Sequence, residues 1–189
     1  MPPSSSLRIL LICACFATSA CSWLADDAPL VLYEATVVDR FNQEARLVSR
    51  LQDPHTITMF DFGRSRDGLL YMVFEYVNGI SLSKLISGEA PLAPVRVVKI
   101  LQQTLSSLEE AHALGVLHRD IKPGNIMVFE HVGRSDQTKL LDFGIAKLTG
   151  QDQPQQDLTA DGALIGTPRY MSPEQIRGEK LSAQSDIYS

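Results

Sequence analysis

The residues that could do chemistry are concentrated between positions 117 and 144, in the stretch LHRDIKPGNIMVFEHVGRSDQTKLLDFG. Asp120 is followed two residues later by Lys122 and five residues later by Asn125, and Asp142 begins a second short motif, DFG. A carboxylate can accept a proton, an amide and a second carboxylate can hold a divalent cation, and a lysine can neutralise phosphate charge. Together these residue types are the parts that phosphoryl transfer needs.

The spacing within this stretch is more specific than its composition. HRD followed by four residues and Asn, and then DFG, is the signature of protein kinases. The chain therefore resembles the bacterial eukaryotic-type (Hanks-type) serine/threonine protein kinases. That resemblance implies ATP and Mg²⁺ as cofactors, and transfer of the γ-phosphate to a Ser or Thr hydroxyl of a protein substrate.

The resemblance also implies a role for each residue of the stretch. Asp120 would accept the proton of the substrate hydroxyl, and Lys122 would stabilise the transferring γ-phosphate. Asn125 and Asp142 would hold Mg²⁺, and Met127 would lie beneath adenine. Lysine followed by proline at this point resembles serine/threonine kinases, whereas tyrosine kinases usually lack that pair.

Residues 37–51 carry apolar side chains at helical spacing, which predicts an amphipathic helix. They are Val37, Phe41, Ala45, Val48 and Leu51. The segment resembles the family's αC helix, and Glu44 lies where that helix carries the glutamate that pairs with an ATP-binding lysine. A solvated surface glutamate is the alternative interpretation.

Two strands are predicted after this helix, over ITMFDFG and LLYMVFEYV, with a polar turn between them. The second strand runs into the position of the family's hinge. By resemblance Phe74 is the gatekeeper, and the backbone of Glu75 and Val77 faces adenine. An ordinary buried strand is the plainer interpretation, and both can hold together.

Two helices are predicted in the next part of the chain. The first covers residues 81–87 and begins at a serine cap, and the second covers residues 95–115 and resembles the family's αE helix. The apolar pattern of the second helix places six residues on one packed side: Val97, Ile100, Leu101, Leu105, Leu108 and His112. His118, Phe143, Val48 and Phe60 resemble the family's stacked hydrophobic spine.

The region after DFG resembles an activation segment. Arg119 can pair with a phosphate group, which suggests regulation by phosphorylation at Thr159; a loop threonine without a role is an equal alternative. Thr167, in a Gly-Thr-Pro motif, would hydrogen-bond Asp120 and Lys122. Residues 185–189 resemble the start of the family's αF helix, in which Asp186 braces the HRD backbone.

The resemblance implies an α+β, two-lobed protein-kinase-like fold that is truncated. Residues 1–36 are an unmatched leader, residues 37–77 a remnant of the small lobe, and residues 78–189 the large lobe up to the start of αF. The family's first three strands are expected to be missing, since the first glycine is Gly63 and the first lysine is Lys84. The helices after the start of αF are expected to be missing as well. We therefore expect a two-stranded small-lobe sheet and impaired kinase activity.

Two other functions stay open at this point. A pseudokinase-like module could use the retained loops to bind a partner, although the intact Asp120, Asn125 and Asp142 argue against it. A non-functional gene fragment is the other alternative.

Charge and cysteine usage narrow the partners and the compartment. The net charge of −5 and the pI of about 5.3 give no electrostatic reason to expect nucleic acid as a partner. All three cysteines lie in residues 13–21, so no disulfide framework is expected, which favours the cytoplasm. The apolar run at residues 7–17 resembles a short signal sequence, with an unrelated leader as the alternative. Membrane association is possible only through residues 7–24, which would anchor the chain with its kinase domain in the cytosol.

Overall fold

The computed structural model describes the backbone of residues 9–14 and also residues 35–143 and 168–189. Its elements are strand β1 (Ile9–Ala14), helix α1 (Ala35–Val48), strands β2 (Met59–Arg64), β3 (Leu70–Glu75) and β4 (Gly79–Ser81), helices α2 (Leu82–Glu89) and α3 (Pro94–Ala113), strands β5 (Ile126–His131) and β6 (Arg134–Leu140), and helices α4 (Pro173–Arg177) and α5 (Ala183–Tyr188). The predicted mixture of helices and strands is confirmed. None of the helices in the described ranges is long and apolar enough to cross a membrane.

The first sheet has the strand order β1-β3-β2. Strands β2 and β3 form the predicted antiparallel hairpin, and Ser65 closes its turn by donating its backbone N–H to Leu69 O at 2.8 Å. On its other side β3 pairs in parallel with β1 along its whole length. The expectation of a two-stranded sheet is therefore wrong, because part of the leader supplies a third strand. A short apolar run suits a strand as well as a leader, and its pattern alone does not separate the two.

Helix α1 packs through the face that the apolar pattern predicts. Phe41, Ala45 and Val48 are buried at successive turns, and the Phe41 ring lies 6.4 Å from the ring of Phe62 on β2. The predicted helix is thus confirmed, although it ends at Val48 and Leu51 is buried in the loop that follows. Glu44 is half-buried on this helix.

The spine assignment of Phe60 is wrong. Its side chain is 61% exposed, because the pairing of β2 with β3 shifts by one residue between Met59 and Asp61. Such a bulge breaks the alternation of inward and outward side chains along a strand. Phe62, beyond the bulge, packs against the core instead.

The second sheet is antiparallel, with the order β4-β5-β6. Ser81 joins it to α2 and caps that helix by accepting the Lys84 N–H at 3.3 Å, as predicted. Gly79 allows the strands to approach, because a Cβ at this position would lie 2.5 Å from Val128 O. The sheet ends, at Ile126 and Leu140, next to the two motifs that could do chemistry.

The buried face of α3 is rotated from the predicted one. The buried residues are Ile100, Thr104, Ser107, Leu108 and Ala111. The predicted Ile100 and Leu108 are among them, but Val97, Leu101 and Leu105 are 37%, 49% and 48% exposed. On the buried face, Ser107 Oγ lies 2.6 Å from Thr56 Oγ1, so the two small hydroxyl groups satisfy each other where they are buried.

The segment between α1 and β2 is attached to the second sheet and to α3. Ile57 N–H donates to Leu140 O at 3.0 Å, and Leu140 N–H donates to His55 O at 2.7 Å. The Glu110 carboxylate on α3 accepts the N–H groups of Gln52 and Asp53 at 2.8–3.0 Å. These bonds fix the connection that leads into the first sheet against β6, directly before the DFG motif.

Candidate active site

His118 is the buried centre of the loop that follows α3. Its side chain has no solvent exposure, and its ring lies 4.9 Å from the ring of Phe143 in the DFG motif. Nδ1 accepts the Asp120 backbone N–H at 3.2 Å, so the proton of the neutral ring is on Nε2, which donates to Leu141 O at 2.7 Å. Burial lowers the pKa of His118, which keeps the ring neutral. One imidazole thus connects the HRD loop to the strand end that carries Asp142.

The backbone of Arg119 is strained and is held at both ends. Its φ of 66° lies in the left-handed region, which costs a non-glycine residue about 1–3 kcal/mol unless surrounding contacts enforce it. Asp186 Oδ1 accepts the Arg119 N–H at 2.7 Å, and Gln175 Nε2 donates to Arg119 O at 2.7 Å. These bonds over-determine the conformation directly before Asp120.

Asp186 is a carboxylate buried to 4% exposure under the loop. Its Oδ2 accepts the His118 N–H at 2.8 Å and lies 2.8 Å from His112 Nε2, while Oδ1 takes the Arg119 N–H. The predicted brace between Asp186 and the HRD backbone is confirmed. His112, placed on the packed side of its helix by the sequence pattern, supplies a further contact to this carboxylate.

Asp120 receives two side chains from its own loop. Lys122 Nζ lies 2.6 Å from Asp120 Oδ2, and Asn125 Nδ2 donates to the same oxygen at 3.0 Å and to Asp120 O at 2.9 Å. Asn125 is buried at the end of a 3₁₀ turn, Pro123–Asn125, which presents it to the aspartate. Because both bonds use the nitrogen of the amide, Oδ1 of Asn125 is the atom that remains to face a cation.

Asp142 follows β6 with a φ of 52°, a second strained non-glycine residue beside the site. Its side chain reaches solvent, yet the surrounding protein atoms reduce its hydration and thereby raise its pKa. The charge of Asp120 raises that pKa further, and Lys122 opposes the rise. The Asp142 carboxylate and the amide oxygen of Asn125 are the kinds of oxygen ligand that suit a hard divalent cation. Among the described residues, no three His, Cys, Asp or Glu side chains form a closed metal cluster.

A comparison with family profiles agrees with this geometry: the profile described as protein kinase domain matches residues 32–189. The chain belongs to the protein kinase family. Curated relatives are serine/threonine kinases, so this is a serine/threonine protein kinase by family.

Three such relatives show how much of a kinase is covered. Pkn3 of Myxococcus xanthus is 47% identical over 159 residues, which is 84% of this chain and 29% of the relative. Pkn2 of the same organism is 39% identical over 156 residues, 82% of this chain and 18% of the relative. PknB of Mycolicibacterium smegmatis is 37% identical over 153 residues, 79% of this chain and 24% of the relative. The chain thus spans less than a third of the length of these kinases.

The predicted adenine-facing residues of the kinase lie on β3, after it, and on β5. Phe74 is buried, Val77 packs against the core, and Met127 is half-buried. Glu75 donates its N–H to Thr58 O at 2.9 Å, and its carboxylate pairs with Lys139 at 2.5 Å. Lys139 is a contact that the sequence did not indicate, since its partner is 64 residues away.

The site of the kinase therefore brings Asp120, Lys122 and Asn125 into direct contact. Asp142 lies close enough to Asp120 and Lys122 for their charges to shift its pKa. Thr159 and Thr167, the predicted phosphorylation site and the predicted partner of Asp120, lie outside the described residues. Gln175 is the residue that sequence reasoning missed. Its only signal is its place three residues after Ser172, at the end of a capping box.

Proposed function

We propose that this chain carries the site for transfer of the γ-phosphate of ATP to a Ser or Thr hydroxyl of a protein. The observation that supports this most strongly is the arrangement at Asp120. Its carboxylate is hydrogen-bonded by Lys122 and Asn125, and its charge adds to the effect of burial in raising the pKa of Asp142. A base, a cation for phosphate and a pair of oxygen ligands for Mg²⁺ are the components of this chemistry.

Each side chain then has a stated task. Asp120 accepts the proton of the attacking hydroxyl, and Lys122 offsets the charge of the transferring phosphoryl group while orienting Asp120. The Asn125 Oδ1 and the Asp142 carboxylate hold Mg²⁺, which when bound neutralises phosphate charge. At Asp142, whose pKa is raised by burial and by the charge of Asp120, a bound cation would favour the ionised carboxylate.

The nucleotide base and the regulatory residues complete the proposal. Phe74, the backbone of Glu75 and Val77, and Met127 contact adenine. Arg119 pairs with phosphate on Thr159, while Thr167 binds Asp120 and Lys122. Residues 37–77 form the small lobe and residues 78–189 the large lobe up to αF.

We further propose that turnover by this chain is slow. Strands β1–β3 contain no lysine that could hold the α- and β-phosphates of ATP. Positioning of the phosphates is the main source of rate acceleration in this chemistry. The same observation favours a second candidate, a pseudokinase-like module that binds nucleotide or a partner without transfer. A non-functional gene fragment is the third.

Transfer of ³²P from radiolabelled ATP to a generic Ser/Thr protein tests the proposal. Wild-type chain is compared with Asp120→Ala and with Asp39→Ala, an exposed aspartate on α1. We expect weak incorporation that falls about 10²-fold or more in Asp120→Ala, the scale of losing a general base, and does not change in Asp39→Ala.

Two other outcomes separate the alternatives. Magnesium-dependent ATP binding without incorporation supports the binding module. Equal incorporation by wild type and Asp120→Ala contradicts the assignment of the base, and no binding and no transfer identify a non-functional fragment.

A further inference from the structure

We propose that Gln175 is a positioning residue for the catalytic loop, an inference that rests on the proposed function of Asp120. The Gln175 side chain spans two parts of the chain that are 56 residues apart in sequence. Its Nε2 donates to Arg119 O at 2.7 Å, and its Oε1 accepts the Ser172 N–H at 3.0 Å. One amide therefore connects the start of α4 to the peptide that precedes Asp120.

The peptide unit between Arg119 and Asp120 is held from both of its edges. Its carbonyl accepts the bond from Gln175, and its N–H donates to His118 Nδ1 at 3.2 Å. The orientation of this plane fixes the direction in which the Asp120 side chain leaves the backbone. Because a φ of 66° lies in the left-handed region that non-glycine residues disfavour, the local backbone does not favour this orientation by itself, and contacts such as these two hold it.

The contact with Ser172, at the other end of the Gln175 amide, couples Gln175 to the segment that leads into α4. Ser172 is fully buried, its hydroxyl accepts the Gln175 backbone N–H at 3.3 Å, and its own N–H is bonded by the Gln175 side chain. The reciprocal pair locks Gln175 to the turn before the helix. A shift of this turn must therefore move the donor away from the Arg119 carbonyl, which links the segment that follows Thr167 to the base.

The substitution Gln175→Glu removes the side-chain bond to the Arg119 carbonyl and keeps the capping bond to the Ser172 N–H. A carboxylate of the same shape still accepts the Ser172 N–H, because serine followed three residues later by glutamate is a favourable capping box. Its other oxygen, however, cannot donate to the Arg119 carbonyl until it is protonated, in a range around pH 4–5. Gln102→Glu, on an exposed position of α3, is the matched control.

The readout is amide hydrogen exchange at Asp120, measured on the full 189-residue chain by NMR or by mass spectrometry of peptides that cover residues 116–125. At pH 7 we expect exchange in Gln175→Glu about tenfold faster than in wild type, the scale of one lost hydrogen bond. The ratio of the two exchange rates should narrow as the pH is lowered from 5 to 4, where the substituted carboxyl takes up its proton. His118, Asp186 and Glu174 surround the Gln175–Arg119 contact in wild type and in the variant alike. Comparing the two proteins at each pH therefore cancels the effect of these three groups on the exchange rate. Gln102→Glu should match wild type throughout.

A second variant keeps the test decisive if Gln175→Glu does not fold by circular dichroism. Gln175→Met has a similar volume and cannot donate at any pH, so its Asp120 amide should exchange faster at pH 7 and show no recovery at pH 4. Unchanged exchange in a folded variant overturns the inference. The readout needs no turnover, so it is independent of the phosphate-transfer assay. Where transfer is measurable, Gln175→Glu should lower kcat and leave the KM for ATP unchanged.

Discussion

Removal of the Asp186 carboxylate should destabilise the whole fold, because this one buried group satisfies several donors. It accepts two backbone N–H groups, from His118 and Arg119, and contacts His112, at distances of 2.7–2.8 Å. A hydrogen bond to a charged group contributes about 1.5–3 kcal/mol, and a buried donor left without an acceptor costs about 1–3 kcal/mol. With two backbone donors orphaned, Asp186→Ala should lose about 3–5 kcal/mol, a large part of the roughly 5–15 kcal/mol that stabilises a domain.

Asp186→Asn should lose about half as much as Asp186→Ala, because its amide retains one accepting oxygen while its NH₂ group faces a donor. The assay is urea unfolding followed by far-UV circular dichroism, with the free energy taken from the midpoint and the slope. Asp39→Ala and Asp39→Asn, on the exposed side of α1, are the controls and should stay within about 0.5 kcal/mol of wild type. A loss under about 1 kcal/mol in Asp186→Ala would refute the reasoning, since it would mean that water or rearrangement replaces the carboxylate.

Three further predictions concern the surroundings of the site. Since the pKa of Asp142 is raised, ionisation of this carboxyl lowers the stability of the fold as the pH rises through that pKa. Asp142→Asn should therefore raise the midpoint of urea unfolding at pH 7. The same substitution should weaken Mg²⁺-dependent ATP binding measured by calorimetry. Since the pKa of His118 is lowered, the unfolded chain binds the proton more readily than the folded chain, and stability should fall as the pH drops through about 6.5. Between pH 7.5 and 5.5, the urea midpoint should therefore change less with pH in His118→Phe than in wild type. Gly79→Ala, whose Cβ would lie 2.5 Å from Val128 O, should lose about 1–3 kcal/mol in thermal unfolding, whereas Gly88→Ala in α2, with open space around it, should be neutral or stabilising.

The elements with strong local patterns could be predicted from the sequence. Helix α1 carries its buried residues at helical spacing, the β2–β3 hairpin is rich in β-branched and aromatic residues around a polar turn, and Ser81 precedes α2 as a cap. The grouping of Asp120, Lys122 and Asn125 also follows from local spacing, because these residues share one short loop. In each case the information lies within a few residues of the feature.

The features that sequence reasoning missed depend on partners far along the chain. The rotated face of α3 buries Ser107 against Thr56, and an apolar pattern gives no signal of a buried polar pair. The third strand of the first sheet needs β3 as its partner, and the exposure of Phe60 needs the bulge in that pairing. The bond of Gln175 to Arg119 crosses 56 residues and has no local signature beyond a capping box.

The attachment of residues 52–57 to β6 and α3 restricts how the two sheets can move against each other. The first sheet is connected to the second through the main-chain bonds of Ile57 and Leu140, through the Glu75–Lys139 ion pair and through the covalent link from β3 to β4. Sliding or twisting of one sheet against the other would break the bonds at Leu140 and the Glu75–Lys139 ion pair. Asp142 is two residues after Leu140, so the position of its backbone is tied to one of the connections that fix the two sheets relative to each other.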